Sequence, residues 1–388
     1  VYGGTARRVP RYDRALAGRD DTVPRQAIER KRTVDAGFRS EAETRPLDLV
    51  ALSRHLETVG LRLDQEVPVR QFSSGLANIN YLIGVSGHPV VLRRPPDGDL
   101  PPGAHDMARE HRILSRLPGA FPLAPQSRHL CEDRAVLGVP FQLLEYRPGV
   151  VIKGDDRSRL EARPELARAI GEMLVGVLVS IHEVDAAAIG LGDLGRPESF
   201  VTRAIAGWRR RAERLDPAPE TATLIAEIAD WLEAQPCGER QARLLHCDFK
   251  LDNLILDSDT LSASAVVDWD MGTRGDPLFD LATMVSYWTD AQDPPCMHRL
   301  AQMPSTAPGF PSRSEAVERY ARASGVDLSD FPLFRVLAMF KLAVVFLQLH
   351  RIRPPRSSGE GSREHFGTLG EELLLFTRDI AQARAPLL

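Results

Sequence analysis

Between Leu244 and Ala282 the chain collects groups that can do chemistry: His246, Asp248 and Asn253, then Asp268 and Asp270. Two apolar runs, Leu254–Leu256 and Ala265–Val267, lie between the two sets. The turn residues Asp257, Ser258 and Asp259 separate the runs, so the stretch predicts a β-hairpin. Closing the hairpin brings Asn253 and Asp268 together although fifteen positions separate them. Two adjacent oxygen ligands, with a carboxylate five residues upstream of the first, suit Mg²⁺ and phosphoryl transfer.

Other elements must hold this hairpin and supply what it lacks. Residues 1–45 alternate arginines with acids, carry few apolar residues and show no period, which predicts a disordered or loosely docked extension. It has no apolar core of a secretory signal, and its acids argue against a mitochondrial presequence. A nucleotide-binding part is expected over 46–147. A helix is expected at Leu49–Val59, strands at Val67–Phe72, Tyr81–Val85 and Val90–Arg94, a helix over Ala104–Leu117 and a buried strand at Val139–Tyr146. Over 148–388 helical patterns dominate: Glu165–Val184, Pro197–Leu215, Ala218–Glu233, Leu278–Trp288, Ser314–Ala323 and Phe331–Arg351, with a surface loop at Arg353–Ser362. The fold class expected is α+β. A small antiparallel-sheet lobe precedes a larger helical lobe, in a two-lobed kinase-like arrangement with the catalytic loop and acceptor site in the second lobe.

Composition narrows the function. A hydrophobic content of 43%, a charged content of 26% and a net charge of −4 describe an ordinary soluble protein with no general attraction to nucleic acid or anionic membranes. The four cysteines form no CxxC pair, so neither a disulfide framework nor a zinc site is expected, and a reducing cytoplasm is the natural compartment. The apolar stretch Val336–Leu349 is interrupted by Lys341 and reads as a buried helix.

His246 to Asn253 fits H-x-D-x-x-x-x-N, the spacing of a kinase catalytic loop. Asp248 would orient the acceptor hydroxyl and take its proton, Asn253 and Asp268 would hold Mg²⁺, and His246 would chiefly brace the loop. Cys247 between His246 and Asp248 makes a superficial Cys/His/Asp set, but adjacent side chains of an extended loop diverge, and thiol catalysis is set aside.

With further motifs added, the chain resembles the aminoglycoside phosphotransferase/choline kinase superfamily, relatives of the protein kinases. It is most similar to the phosphotransferase domains associated with acyl-CoA dehydrogenases. The motifs are the Gln71–Tyr81 loop, Val91-Leu92-Arg93-Arg94-Pro95-Pro96, Arg109 to Leu114, Leu144-Glu145-Tyr146, the hairpin, and Gly275 to Ala282. The resemblance implies that Ser74, Gly75 and Asn78 lie over the triphosphate. It further implies that Arg93 is the phosphate-contacting cation, that Glu110 pairs with it, and that Glu145 and Tyr146 belong to the interlobe strand holding adenine. Asp276 would cap the following helix and Asp280 would support the catalytic loop. ATP or GTP would be the co-substrate and Mg²⁺ the cofactor, with a small hydroxylated acceptor and no nucleic-acid or membrane partner. Arginine stands at position 93 where lysine is most common, Cys247 where the loop usually has glycine, and Asp270 where glutamate is usual.

From Thr283 to Leu388 there are 11 Asp/Glu against 12 Lys/Arg, so this region shows no acid excess of the kind an aminoglycoside polycation would call for. The subgroup resemblance points instead to a hydroxyacyl-CoA as acceptor, for which Arg203, Arg209, Arg210, Lys341, Arg351 and Arg353 could supply surface charge, although solvated helix faces explain most of them equally well. An aminoglycoside O-phosphotransferase and a non-catalytic nucleotide-binding regulator are the alternatives.

Overall fold

The structure is a computed structural model that describes residues 37–73, 78–96, 106–352 and 361–388. Ser74, Gly75 and most of the expected N-terminal extension lie outside the described residues.

Five strands form one antiparallel sheet in the order β1-β2-β3-β5-β4: β1 Arg70–Gln71, β2 Ile79–Val85, β3 His88–Arg94, β4 Ser127–Cys131 and β5 Phe141–Glu145. Ser86 and Gly87, both at positive φ (52° and 84°), make the two-residue turn from β2 to β3, as the twist of a tight hairpin requires. β1 is shorter than the expected Val67–Phe72. Pro68 has no N–H for a ladder, and the Val67 N–H is spent on the Asp64 carbonyl in a turn. β4 was not expected, because Ser127-Arg128-His129-Leu130-Cys131 carries no clean alternation. Helix α1 (Leu49–Thr58), capped by Asp48 on the Val50 and Ala51 amides, lays Leu52 and Leu56 on Tyr81, Ile83, Leu92, Phe141 and Leu143. Helix α2 (Met107–Leu114) instead turns Ile113 and Leu114 into the second, larger core.

That larger core is built by helices. After the single turns α3 (Arg134–Leu137) and α4 (Ser158–Glu161) come α5 (Pro164–His182), α6 (Phe200–Glu213), α7 (Pro219–Ala234), α8 (Pro277–Ser286), α9 (Pro295–Leu300), α10 (Arg313–Ser324), α11 (Phe331–Ile352) and α12 (Gly361–Ala381). α11 is longer than the apolar stretch that flagged it. It could cross a membrane by length and composition, yet 78% of its most apolar window is buried inside the fold. α12 was missed. Its buried Leu369, Leu373, Leu374, Phe376 and Ile380 repeat at helical spacing, and Gly361 and Ser362 open it rather than ending a loop.

Two short strand pairs carry the chemistry. β7 (Leu254–Leu256) and β8 (Ala263–Val266) form the expected hairpin, its second strand starting two residues earlier than read, around an irregularity at Ile255/Leu256. β6 (Arg243–Leu245) pairs with β9 (Thr273–Gly275), with Leu245 opposite Thr273. Val150, just past the sheet, bridges to Leu256 and so ties the link between the lobes to β7.

Candidate active site

The hairpin closes as its sequence requires. The Val267 N–H donates to the Asn253 carbonyl at 2.9 Å, which puts Asp268 one residue beyond Asn253's partner. The Asn253 side-chain N–H donates to the Asp248 carbonyl at 2.8 Å. Its amide oxygen makes no hydrogen bond among the described residues. Asp268 sits at φ 71°, in the left-handed region, with its carboxylate about a third exposed.

Arg93 reaches this carboxylate from β3. It donates to Asp268 through one guanidinium nitrogen and to Glu110 of α2 through Nε at 2.7 Å. Glu110 is fully buried, and its other oxygen accepts from the Trp269 N–H at 3.0 Å. Gln142, opposite Arg93 on β5, adds a third hydrogen bond to Glu110 at 2.5 Å. Burial pushes the Glu110 carboxyl up, while Arg93 and the Trp269 amide oppose it. The flanking carboxylates hold Arg93 above its ordinary value against its own burial. Asp270, nine-tenths buried, accepts from Asn78 at 3.4 Å. Burial first, and the Asp268 charge next, push its carboxyl up to about 8.

The catalytic-loop residues are held from three directions. The fully buried Asp280 on α8 accepts from the His246 N–H at 2.6 Å and the Cys247 N–H at 2.8 Å. His182 of α5 lies against the same carboxylate at 3.4 Å and Tyr320 of α10 against His182 at 2.6 Å. Lys341, from the middle of α11, donates to the Cys247 carbonyl at 2.5 Å. These contacts fix Cys247 at φ 66°, the backbone state that its usual glycine would take freely and that costs a side-chain-bearing residue about 1–2 kcal/mol. Burial raises the Cys247 thiol well above its ordinary value, so it offers no thiolate nucleophile.

His246 is fully buried with both ring nitrogens engaged. Nε2 donates to the Val267 carbonyl at 3.0 Å, and Nδ1 accepts from the Asp248 N–H at 3.3 Å. Burial lowers its imidazole, and this neutral tautomer joins the loop to the hairpin. It is a brace, with no ring nitrogen left to move a proton in the reaction. The Asp248 carboxylate accepts from the Tyr287 hydroxyl at 2.7 Å on Oδ1 and lies 3.3 Å from the Lys250 ammonium on Oδ2, with Lys341 at 3.8 Å from Oδ1. Burial alone would raise this carboxyl. Lys250, Lys341 and the Tyr287 hydroxyl outweigh it and hold it at about 2. Lys250 is raised in turn by Asp248 and stands 4.7 Å over the Tyr287 ring.

The structure thus gathers Asn78, Arg93, Glu110, His246, Asp248, Asn253 and Asp268. Glu145 and Tyr146 sit at the end of β5, apart from that network: Glu145 pairs with Arg147 at 2.9 Å and accepts from the Gln126 N–H at 3.0 Å. Ser74 and Gly75 fall outside the described residues. Gln142, Tyr287 and Lys250 were not read as site residues, and Lys341 was read only as a surface cation for the acceptor. Lys250 lies inside the motif itself, and Lys341 was visible as one charge in an apolar helix; Gln142 and Tyr287 had no local signal. Asn253 and Asp268, brought near each other by the hairpin backbone, offer hard oxygens, a donor set that suits Mg²⁺ sharing its shell with water and phosphate. Among the described residues no group of three His, Cys, Asp or Glu could hold a metal, so any ion here would depend on that amide and on ligand oxygens.

The model of the phosphotransferase enzyme family, APH, matches residues 68–316. Acyl-CoA dehydrogenase family member 10 of Mus musculus is 28% identical over 336 residues, 85% of this chain and 31% of that protein. Family member 11 of Gallus gallus is 30% identical over 304 residues, 76% of this chain and 38% of that protein. The chain therefore spans about a third of the length of these curated relatives. A solved structure from Ralstonia eutropha, provisionally named an aminoglycoside phosphotransferase, shares the fold at a TM-score of 0.70 with 24% identity, covering 87% of this chain and 99% of that one. A thermostable mutant of aminoglycoside phosphotransferase APH(4)-Ia, solved with AMP-PNP and hygromycin B, aligns at a TM-score of 0.55 with 18% identity over 86% and 99% of the two chains.

Proposed function

The chain belongs to the phosphotransferase enzyme family, and from that premise we propose that it moves the γ-phosphate of ATP, with Mg²⁺, to a hydroxyl of a small acceptor, a hydroxylated acyl-CoA. The observation that carries the reading is the meeting of Arg93 from the sheet with the Asp268 carboxylate, while the hairpin sets Asn253 against Val267, one residue from Asp268, and ties the Asn253 side chain to the Asp248 carbonyl. The neighbour solved with AMP-PNP supports ATP as donor. The acyl-CoA dehydrogenase names of the curated relatives support an acyl-CoA as the molecule that this part of them meets.

In this mechanism Arg93 contacts phosphate while Glu110, itself held by Gln142, keeps its guanidinium in line. Mg²⁺, bound by Asn253 and Asp268, would supply charge neutralisation on the phosphate oxygens. Asp248 stays ionised at any working pH and accepts a hydrogen bond from the acceptor hydroxyl, turning a lone pair of that oxygen toward the phosphorus. A carboxyl held near 2 is a weak base. That suffices for a loose transition state, in which the hydroxyl proton leaves late and positioning does most of the work. Tyr287 occupies Oδ1, so the acceptor meets Oδ2, beside the Lys250 ammonium.

Purified protein with Mg·ATP and a panel of hydroxyacyl-CoAs, aminoglycosides and amino alcohols tests the reading, with product followed by mass. Phosphorylated hydroxyacyl-CoA formed by the wild type and not by Asp248→Asn is the expected result. Transfer retained by Asp248→Asn overturns the role of that carboxylate, and transfer only to aminoglycosides overturns the acceptor class.

A further inference from the structure

Beside the catalytic strands lies a depression of about 310 Å³ lined by Arg196, Phe200, Arg203, Ala204 and Thr273. Two glycines let it form. A Cβ on Gly195 would stand 2.0 Å from the Thr273 hydroxyl, and one on Gly275 would stand 2.6 Å from the Phe200 ring, so the entry to α6 packs directly on β9. Phe200 is braced edge-on by Phe279 at 5.3 Å. Arg203 is fixed by donating to the Glu198 and Arg196 carbonyls, which orient its guanidinium without cancelling its charge. Neither Arg196 nor Arg203 has a carboxylate partner among the described residues. The contrast within one helix is sharp: Arg209, two turns along α6, is matched by Glu213, Asp230 and Glu233.

The depression is close to the chemistry. Thr273 pairs with Leu245, three residues before Asp248. At ~3.6 Å per residue and ~5 Å between strands, Thr273 lies within roughly 16 Å of Asp248 along the backbone.

We infer that this depression is an anion subsite that takes a phosphate of the acceptor's phosphorylated adenosine end, with Arg196 and Arg203 as its ligands and Phe200 as an apolar wall for the base. The inference rests on the acyl-CoA reading above and assigns the residues that read it. A guanidinium fork matches phosphate oxygens in pairs, and the extended pantetheine arm of a CoA thioester then runs toward Asp248. The same two unmatched cations repel an aminoglycoside, so the subsite also selects against a polycation.

Calorimetry on the full chain tests it, with the nucleotide site filled by Mg·AMP-PNP so that CoA cannot occupy it. Free CoA, dephospho-CoA and pantetheine are the probes. CoA is expected to bind the wild type more tightly than either shorter probe, and Arg196→Glu is expected to weaken CoA by about tenfold or more while changing pantetheine little. Arg196 has no partner to lose, so this variant keeps the fold, and an unchanged melting curve checks that. Arg203→Lys, which keeps the charge but not the fork, is expected to weaken CoA by a smaller factor. Equal CoA binding by wild type and Arg196→Glu overturns the subsite while leaving the acyl-CoA acceptor standing. Absence of CoA binding to the wild type overturns the acceptor class and the subsite with it.

Discussion

Replacing Asp280 by asparagine should dismantle the catalytic loop while barely changing the volume of the core. The carboxylate is fully buried and spends one oxygen on the His246 N–H at 2.6 Å and the other on the Cys247 N–H at 2.8 Å. Asparagine keeps one acceptor oxygen and turns an NH₂ against the second N–H. The variant loses one charge-assisted hydrogen bond, about 1.5–3 kcal/mol, and leaves a buried donor unmet, about 1–3 kcal/mol. Together these predict a loss of about 3–5 kcal/mol, a large share of an ordinary folding free energy. Urea unfolding followed by tryptophan fluorescence measures it, and phosphate transfer should fall at least about 100-fold as Asp248 shifts. Cys247 supplies an internal check. Its left-handed backbone is held partly by Asp280, so Cys247→Gly should relieve more backbone strain in the wild type than in the Asp280→Asn background, where the loop can relax, a coupling of about 1 kcal/mol in the double-mutant cycle. A loss below about 1 kcal/mol, with transfer within threefold of wild type, would refute the claim that this carboxylate clamps the loop.

Three further outcomes are expected. Asp248→Asn should reduce transfer by about 10²–10⁴-fold. Because the folded-state carboxyl sits at about 2 against 3.8 unfolded, its stabilisation is present above about pH 4 and is lost as pH falls toward 2. Wild type should therefore exceed the variant by about 2 kcal/mol at pH 7 and by roughly half that at pH 3, read from urea midpoints. Arg93→Met leaves Glu110 buried and unpaired. It should cost about 3–5 kcal/mol of stability by urea unfolding and weaken AMP-PNP binding by about tenfold or more by calorimetry, whereas Arg93→Lys should retain most of both. Tyr287→Phe removes the hydrogen bond to Asp248 Oδ1; kcat should drop about tenfold with AMP-PNP affinity unchanged, and an equal loss in both would place Tyr287 in general folding instead.

What the sequence made legible follows from distance along the chain. The hairpin, the approach of Asn253 to Val267 beside Asp268, and the cap at Asp276 are fixed by turn residues and short spacing, whereas the support from Asp280, 34 and 33 positions from His246 and Cys247, came through the resemblance. The Arg93–Glu110 pair could be placed only through resemblance, since neither residue alone distinguishes itself from a solvated charge. Gln142, Tyr287 and Lys341 reach the site from β5, the end of α8 and the middle of α11. Their partners are 32, 39 and 94 positions away, and no local pattern encodes such a meeting. Lys341 was read as a candidate surface cation for the acceptor; the structure buries it, because an ammonium inside an apolar helix needs an acceptor and the Cys247 carbonyl is there. Arg203 was read as one of several surface cations, but its depression with Arg196 was not, since that depends on two glycines letting β9 and α6 touch.

The two ammonium groups around Asp248 gain weight from how few amines the chain has. Lys31, Lys153, Lys250 and Lys341 are the only lysines in 388 residues, while arginine supplies nearly all the remaining positive charge. Thioesters acylate neutral amines and leave guanidinium and ammonium groups alone. Lys250 is held protonated by Asp248, and Lys341 is enclosed in the core with its nitrogen against a carbonyl. On the acyl-CoA reading proposed above, neither amine beside Asp248 would be acylated by the substrate's thioester, and amine-directed nucleotide probes would find an arginine, Arg93, at the proposed phosphate position.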